Sequence, residues 1–256
     1  MSNTVYNKFA AVYDRMGADS FSVDMVKYTV KIMRRFRIDA SDGLDLCCGT
    51  GTAMLHLIEH GLNMSGLDQS QAMLRQARKK LSKHSVELHR GTLPRFTIGE
   101  KRNPARPRRF DLITCFYDSL NYLRNERELK AAFRSVYRHL APGGWFVFDM
   151  NTPEGLRVIW GSQIWGGVEN DLAWLWRNSY DREKGSAELA ATFFVKSGSH
   201  WQRFDELHIE KGYGNRIIRR LLREVGFEVK GLYRCLTFEK PTRRTYRICV
   251  VAKRPA

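Results

Sequence analysis

Two acidic residues and two glycines carry the clearest chemistry in this sequence. Asp45 lies in an apolar run, Gly43-Leu44-Asp45-Leu46-Cys47-Cys48, that ends in Gly49-Thr50-Gly51. The run reads as a strand feeding a glycine turn, and Thr52 to Gly61 then reads as a helix with Leu55, Leu57 and Ile58 facing inward. A strand, a glycine turn and a helix bring backbone close to a ligand. The G-x-G by itself is weak, because dinucleotide enzymes carry G-x-G-x-x-G at the same place. Here Met54 stands where a third glycine would be, and an anionic diphosphate would meet the Asp45 carboxylate unfavourably. Asp68 ends the next apolar run, Met64 to Leu67, where a fixed double acceptor can take hydrogen bonds from ribose hydroxyls. Each of these has a plainer reading: Gly49 and Gly51 make a tight turn, Asp68 caps a helix, Asp45 pairs with a lysine. Further along, Tyr117, Asp118, Asn121 and Tyr122 follow a fourth strand, Phe110 to Phe116. A carboxylate there would orient an amine or take a proton from a hydroxyl; alternatively Asp118 and Ser119 cap the next turn.

The elements that must hold these residues alternate. Ser70 is placed to cap a helix from Gln71 to Leu81, Val86 to His89 reads as a third strand, and Glu126 to Leu140 as a long amphipathic helix. A fifth strand, Gly144 to Met150, follows the Pro142-Gly143-Gly144 turn. The alternation predicts an α/β fold, with helices on both faces of a sheet. From about Asn151 to Gly212 the pattern changes to an antiparallel meander of Leu172 to Tyr180, Ala187 to Lys196 and Trp201 to Ile209. Helix and strand then return, with Asn215 to Val225 helical, Gly226 as its stop, and strands at Phe227 to Tyr233 and Tyr246 to Ala252. We therefore expect one α/β domain from residues 1–150 and 213–256, with 151–212 inserted. The insertion leaves the sheet beside the crevice where open α/β sheets bind ligands, and so reads as a substrate lid. Trp160, Trp165, Trp174, Trp176 and Trp201 either line a pocket or fill this lobe.

At 256 residues and 43% hydrophobic, the chain can bury one sizeable core plus a small lobe. Its net charge of +16 attracts anions without choosing among them. The densest basic run, Lys101, Arg102, Arg106, Arg108 and Arg109 around Pro104 and Pro107, reads as a solvated loop or as a nucleic-acid contact, and it lacks interleaved aromatics. There is no apolar run of about 18 residues and no signal-like N-terminus, so the expectation is a cytoplasmic protein with no membrane partner. The five cysteines are odd in number and show no spacing that suits a metal, which points to buried reduced thiols and no metal site.

In its motifs the chain resembles the class I S-adenosylmethionine (SAM)-dependent methyltransferases, in particular bacterial small-molecule-type members. The resemblance runs over essentially the whole chain. It rests on Tyr6-Asn7-Lys8-Phe9-Ala10 with Tyr13-Asp14, the Asp45 to Gly51 loop, Gly66-Leu67-Asp68-Gln69-Ser70, Phe110 to Cys115, Asp118-Ser119-Leu120-Asn121-Tyr122, and Pro142-Gly143-Gly144 with Phe148-Asp149-Met150-Asn151. It implies a Rossmann-like, seven-stranded, mostly parallel sheet with an inserted small antiparallel β lobe. SAM carries an ammonium and a sulfonium, to which a carboxylate at Asp45 is suited. By the resemblance Gly49 and Gly51 lie against the methionine portion, Asp68 and Gln69 sit at the ribose, Thr92 and Leu93 flank the adenine, and Cys115 ends a strand of the site. Two positions depart from the family pattern: Cys47 replaces a common first glycine, and Thr92 an aspartate that often meets the adenine amine. Tyr6 and Tyr13 either cover the cationic donor or belong to the core of an N-terminal helix.

Methyl transfer is an in-line displacement in which alignment and exclusion of water do most of the work. Candidate catalytic residues are Tyr117, Asp118 and His208; His208 and Tyr213 match the family's H-x-x-x-x-Y stretch, against a surface-strand reading of the histidine. The expected activity is transfer of the SAM methyl group to N or O of a small-molecule acceptor. The alternative is an RNA methyltransferase that uses the basic surface, although no (D/N)-P-P-(Y/F/W) or Pro-Cys segment is present. A non-catalytic nucleotide-binding module ranks last. The sequence leaves oligomeric state open.

Overall fold

A computed structural model describes residues 6–256 of the chain. Five strands run parallel through the centre: β1 (Asp42–Leu46), β2 (Asn63–Asp68), β3 (Glu87–Arg90), β4 (Phe110–Cys115) and β5 (Leu140–Asn151). Between them lie α1 (Ser20–Phe36, before β1), α2 (Thr52–Glu59), α3 (Gln71–Lys80) and α4 (Glu126–His139). After β5 come a short α5 (Pro153–Gly155) and a π-helical turn, Leu156–Trp160. Next is an antiparallel sheet of β6 (Ile164–Glu169), β7 (Leu172–Asp181), β8 (Ser186–Ser197) and β9 (His200–Lys211). The chain then returns to the main sheet through α6 (Asn215–Val225), β10 (Glu228–Arg234) and β11 (Arg247–Lys253). Main-sheet order is β10-β11-β5-β4-β1-β2-β3, and β11 is antiparallel to the strands beside it. The seven-stranded, mostly parallel sheet with a separate antiparallel sheet is the expected architecture.

The order reverses between β1 and β4, so the loops after these strands diverge and leave a crevice at their carboxyl ends. Two cores hold the sheet from either side. Phe133 on α4 packs edge-on to Phe146 and tilted against Phe148 of β5 on one face, while Met25, Tyr28 and Ile32 of α1 pack with Met54 and Leu57 of α2 on the other. Burying each such side chain contributes about 1.5–3 kcal/mol. α1 was not read from the sequence, although its buried Met25, Val26, Tyr28, Thr29 and Ile32 fall on one helical stripe. One of the two readings of Tyr6 to Tyr13 places them on an N-terminal helix. There the structure has only a 3-10 turn, Phe9–Ala11, closed off before α1 by Gly17 at φ +64°.

The insertion is also larger than the three-strand meander. β6 has no mark in the sequence because Gly166 and Gly167 interrupt it and nearly all of it is exposed, which leaves no alternation. Of the tryptophans, Trp160, Trp174 and Trp176 pack with Phe9, Val12, Leu172 and Phe193 into the lobe's own core, and Trp165 and Trp201 are exposed; none lines the crevice. Asn121, read from sequence as a crevice residue, is fully buried. Its side-chain amide donates to the carbonyls of Asn151 (3.0 Å) and Lys211 (2.8 Å), and its carbonyl oxygen accepts from Asn151 N (2.9 Å). One side chain thus pins both the exit of the chain into the lobe and its return.

Candidate active site

The crevice, about 280 Å³, is built on the carboxyl ends of β1, β2 and β4 and closed over by residues 6–22. β1 ends at Leu46, and the chain leaves it with three left-handed residues, Cys47 (φ +56°), Gly49 (φ +53°) and Gly51 (φ +82°). A Cβ on Gly51 would lie 3.0 Å from Leu81 and 3.3 Å from Ala77, so only glycine lets α2 start this close to α3. The tight path leaves the Gly49 backbone against open crevice, with no atom within 4 Å of where a Cβ would stand.

Asp68, at the end of β2, is clamped by backbone: Oδ2 accepts from Gly49 N (3.0 Å) and Oδ1 from Ser70 N (2.7 Å). Burial raises its pKa from the usual carboxylate value, and those N–H donors oppose the rise. Ser70 in turn caps α3 by accepting from Met73 N, as its position in the sequence implied. Asp45, pointing from β1, accepts from Thr114 Oγ1 (2.7 Å). Burial pushes its pKa up to about 7, with the Thr114 hydroxyl pulling it down and nearby Asp68 adding to the rise.

Three carboxylates, Asp19, Asp45 and Asp68, line the crevice, and among the described lining residues there is no Lys, Arg or His. In a chain of net charge +16 this is a local inversion of sign. A buried carboxylate held near neutral pKa is restored to its ionised form by a cationic ligand and opposes an anionic one. Lys80 lies just behind the wall, bridging Asp14 (2.8 Å) and Asp19 (3.4 Å) and contacting Thr50 and Thr52, so its charge is spent on holding residues 14–19 to α3.

The far wall follows β4. Tyr117 and Asp118 are both left-handed (φ +61° and +53°), a costly pair for non-glycine residues, and Asp149 holds them by accepting from Tyr117 N (2.7 Å) and Asp118 N (3.1 Å). Arg247 from β11 donates to Asp149 (2.6 Å) and to Asp118 (2.6 Å). Burial works against the charge of Arg247, but Asp118 and Asp149 outweigh it and raise its pKa above the ordinary arginine value. Burial likewise raises Asp149, with Arg247 opposing, and takes Glu210 well above the usual range, with Asp118 adding to the rise. Asp118 therefore does not cap the turn through its side chain, as the plainer reading had it; its carboxylate is committed to Arg247 and Asn151.

The expected donor-site residues Tyr6, Tyr13, Asp45, Cys47, Gly49, Asp68, Gln69, Thr92 and Leu93 all line this one crevice, as does Tyr117. Gly51 starts α2 one step behind it, and Cys115 is fully buried beneath the floor beside Cys47. Asp118 and His208 stand behind the wall. His208 reaches it through Tyr122, with Nδ1 2.8 Å from the Tyr122 hydroxyl, so the surface-strand reading does not hold for this buried histidine. Tyr213 faces away; its hydroxyl donates to the Leu123 carbonyl. The sequence assigns no role to Asp149, Arg247 or Glu206: Asp149 stands only within the Phe148-Asp149-Met150-Asn151 motif, and nothing local ties Arg247 to the wall. Glu206 could have been suspected from its alternation with His208 and Glu210 along one face of β9.

The comparisons with known proteins agree with this geometry. A family model described as "Methyltransferase domain" matches residues 44–144. The chain is 31% identical over 174 residues to a Streptomyces venezuelae dTDP-3-amino-3,4,6-trideoxy-alpha-D-glucopyranose N,N-dimethyltransferase, covering 67% of this chain and 68% of that one. It is 26% identical over 251 residues to the Bacillus subtilis chain YqeM, a methyltransferase by name, covering 98% and 97%. A crystal structure of an S-adenosylmethionine-dependent methyltransferase from Clostridium acetobutylicum superposes with a TM-score of 0.84 at 29% identity, covering 98% of this chain and 99% of that one. With the strand order, the glycine turn after β1 and the acidic crevice in place, these likenesses make the chain a member of the class I SAM-dependent methyltransferase family.

Proposed function

We propose that this enzyme transfers the methyl group of SAM to a nitrogen or oxygen of a compact small-molecule acceptor. The sign inversion of the crevice carries the reading: it favours a cationic donor. Bound SAM supplies an electrophilic methyl group on a positively charged sulfur. Asp68, already fixed by two backbone donors, accepts from the ribose hydroxyls, with Gln69 at its edge; Thr92 and Leu93 flank the adenine. Asp45 offsets positive charge above the floor made by Cys47, with Cys115 buried beneath it, and the turn at Gly49 and Gly51 gives the methionine portion a close backbone. Tyr6 and Tyr13, at 6.1 Å between ring centroids, cover the cation and exclude water. Tyr117 and Asp118 set the acceptor wall.

The inserted lobe, residues 151–212, lends no lining residue to the crevice but backs its acceptor wall where His208 meets Tyr122, a placement that supports its reading as a substrate lid. Relatives named as dTDP-amino-sugar N,N-dimethyltransferases support an amine on a small molecule as the acceptor. The RNA alternative draws on the basic loop, where Lys101 and Arg108 both pair with Glu87 on the edge strand β3 (2.7 and 2.8 Å), one carboxylate against five cations. Among the described residues no helix is long and apolar enough to cross a membrane. Buried free thiols at Cys48, Cys115 and Cys249 fit a reducing cytoplasm. The test is to offer SAM labelled in its methyl group, with the enzyme, to the small-metabolite fraction of a cell extract and separately to total RNA. Label in the metabolites is expected; label confined to RNA would overturn the reading.

A further inference from the structure

A chain of buried polar groups runs from the crevice into the lobe. The hydroxyls of Tyr6 and Tyr122, both at the crevice wall, lie 2.9 Å apart; the Tyr122 hydroxyl lies 2.8 Å from His208 Nδ1; His208 Nε2 lies 3.5 Å from Glu206 Oε2. Glu206 and His208 are 9% and 3% exposed, so their partners are fixed rather than exchanged with solvent. The direction of the chain follows from its far end. At 3.5 Å His208 Nε2 and Glu206 Oε2 are in charge contact rather than hydrogen bonded; the acidic side chain favours an Nε2–H on the ring edge that faces it, which leaves the Nδ1 lone pair to accept from Tyr122. Both carboxylate oxygens of Glu206 also accept backbone N–H groups of the covering segment, from Tyr6 (2.8 Å) and Phe9 (3.3 Å). Closing residues 6–9 over the crevice is what completes the set. The Tyr6 ring stands edge-on to the His208 ring at 5.0 Å, and Glu210 is the next acidic side chain on the same face of β9.

We propose that Tyr122, His208 and Glu206 form a proton relay for methyl transfer, with Tyr122 meeting the acceptor and Glu206 as a positioning residue set by closure of the N-terminal segment. The inference rests on the proposed transfer to an N–H or O–H acceptor. In the step, the acceptor lone pair forms the bond to the methyl carbon and the carbon–sulfur pair returns to sulfur. The acceptor's proton passes to the Tyr122 oxygen as the Tyr122 proton passes to His208 Nδ1, and the resulting imidazolium is held by Glu206. Burial raises the pKa of Tyr122 and of Tyr6 well above the ordinary phenol value, so the phenol conducts the proton as a neutral group and the imidazole stores it.

The test has two arms on the full chain. In the first, protein labelled with nitrogen-15 at histidine is examined by NMR with S-adenosylhomocysteine bound. His208 is expected as the Nε2–H tautomer; Tyr122→Phe moves the Nδ1 resonance toward that of a free lone pair, and Glu206→Gln shifts the tautomer ratio about fivefold. An Nδ1–H tautomer in the unmodified protein, or an Nδ1 resonance unmoved in Tyr122→Phe, overturns the relay. In the second arm, His208→Gln is assayed for label transfer to the metabolite acceptor. It should lower kcat about a hundredfold and flatten the acid limb of the pH profile, with the KM for SAM unchanged. An undiminished kcat or an unaltered pH profile overturns the relay. If the unmodified enzyme labels no small molecule, the acceptor reading fails while the NMR arm still decides the relay.

Discussion

The two walls of the crevice are held by different kinds of contact. On the donor wall, Asp68 is fixed by N–H groups 19 and 2 residues away along the chain, through a glycine turn and a helix cap. On the acceptor wall, Asp118 is held by Asn151 and Arg247, 33 and 129 residues away, and Tyr122 by His208, 86 residues away. A wall made of local backbone donors is set by its own short segment. A wall made of charged side chains from distant strands is set only when the main sheet and the lobe have both formed. The comparison predicts that each wall can be damaged with little effect on the other.

The largest effect is expected from Arg247→Met. It strands Asp118 and Asp149 as buried carboxylates without their cation, a loss of about 3–5 kcal/mol, which at this chain length lowers Tm by roughly 6–20 °C. SAM affinity in the protein that remains folded should change less than about threefold. Asp68→Ala does the converse: SAM binding by calorimetry weakens at least about a hundredfold, while Tm falls less than in Arg247→Met, since what is freed is two neutral N–H groups rather than two carboxylates. Should Arg247→Met abolish donor binding as well, the two walls are not independent. Lys80→Met tests the strap between them. Its partners Asp14 and Asp19 are partly exposed, so SAM affinity should fall only a few-fold, and by less at high salt.

The same difference explains what could be read from the sequence. The turn from Asp45 to Gly51, Asp68 and the Ser70 cap were legible because each is a short-range pattern with one physical cause, whether positive φ, a strand end or an orphan helix N–H. The parallel order followed from alternating strands and helices. Arg247 was one basic residue among 43, and only the pairing of β11 with β5 sets it opposite Asn151. Asn121 looked like a ligand-facing amide for the same reason: its partners, Asn151 and Lys211, come together only through the closure of the lobe. Of the two readings of Tyr6 to Tyr13, the structure gives the cover and not the helix: these are aromatics at helical spacing on a segment with only a 3-10 turn. They pack on one another and on Phe193 of the lobe instead of on a helix of their own.

The donor wall rests on Asp45 being a buried carboxyl that ionises when a cation arrives. With a pKa near 7 without ligand, it holds a proton that the unfolded chain has already lost at that pH. Its contribution to stability therefore falls as pH rises from about 4 to about 7, and a bound cation reverses that cost. Calorimetric titration with SAM in two buffers of different ionisation enthalpy counts the protons exchanged on binding. At pH 6 we expect release of close to one proton per SAM, falling toward zero at pH 8.5, with the release lost in Asp45→Asn. Binding with no proton release at pH 6, or with proton uptake, would contradict a crevice built for positive charge.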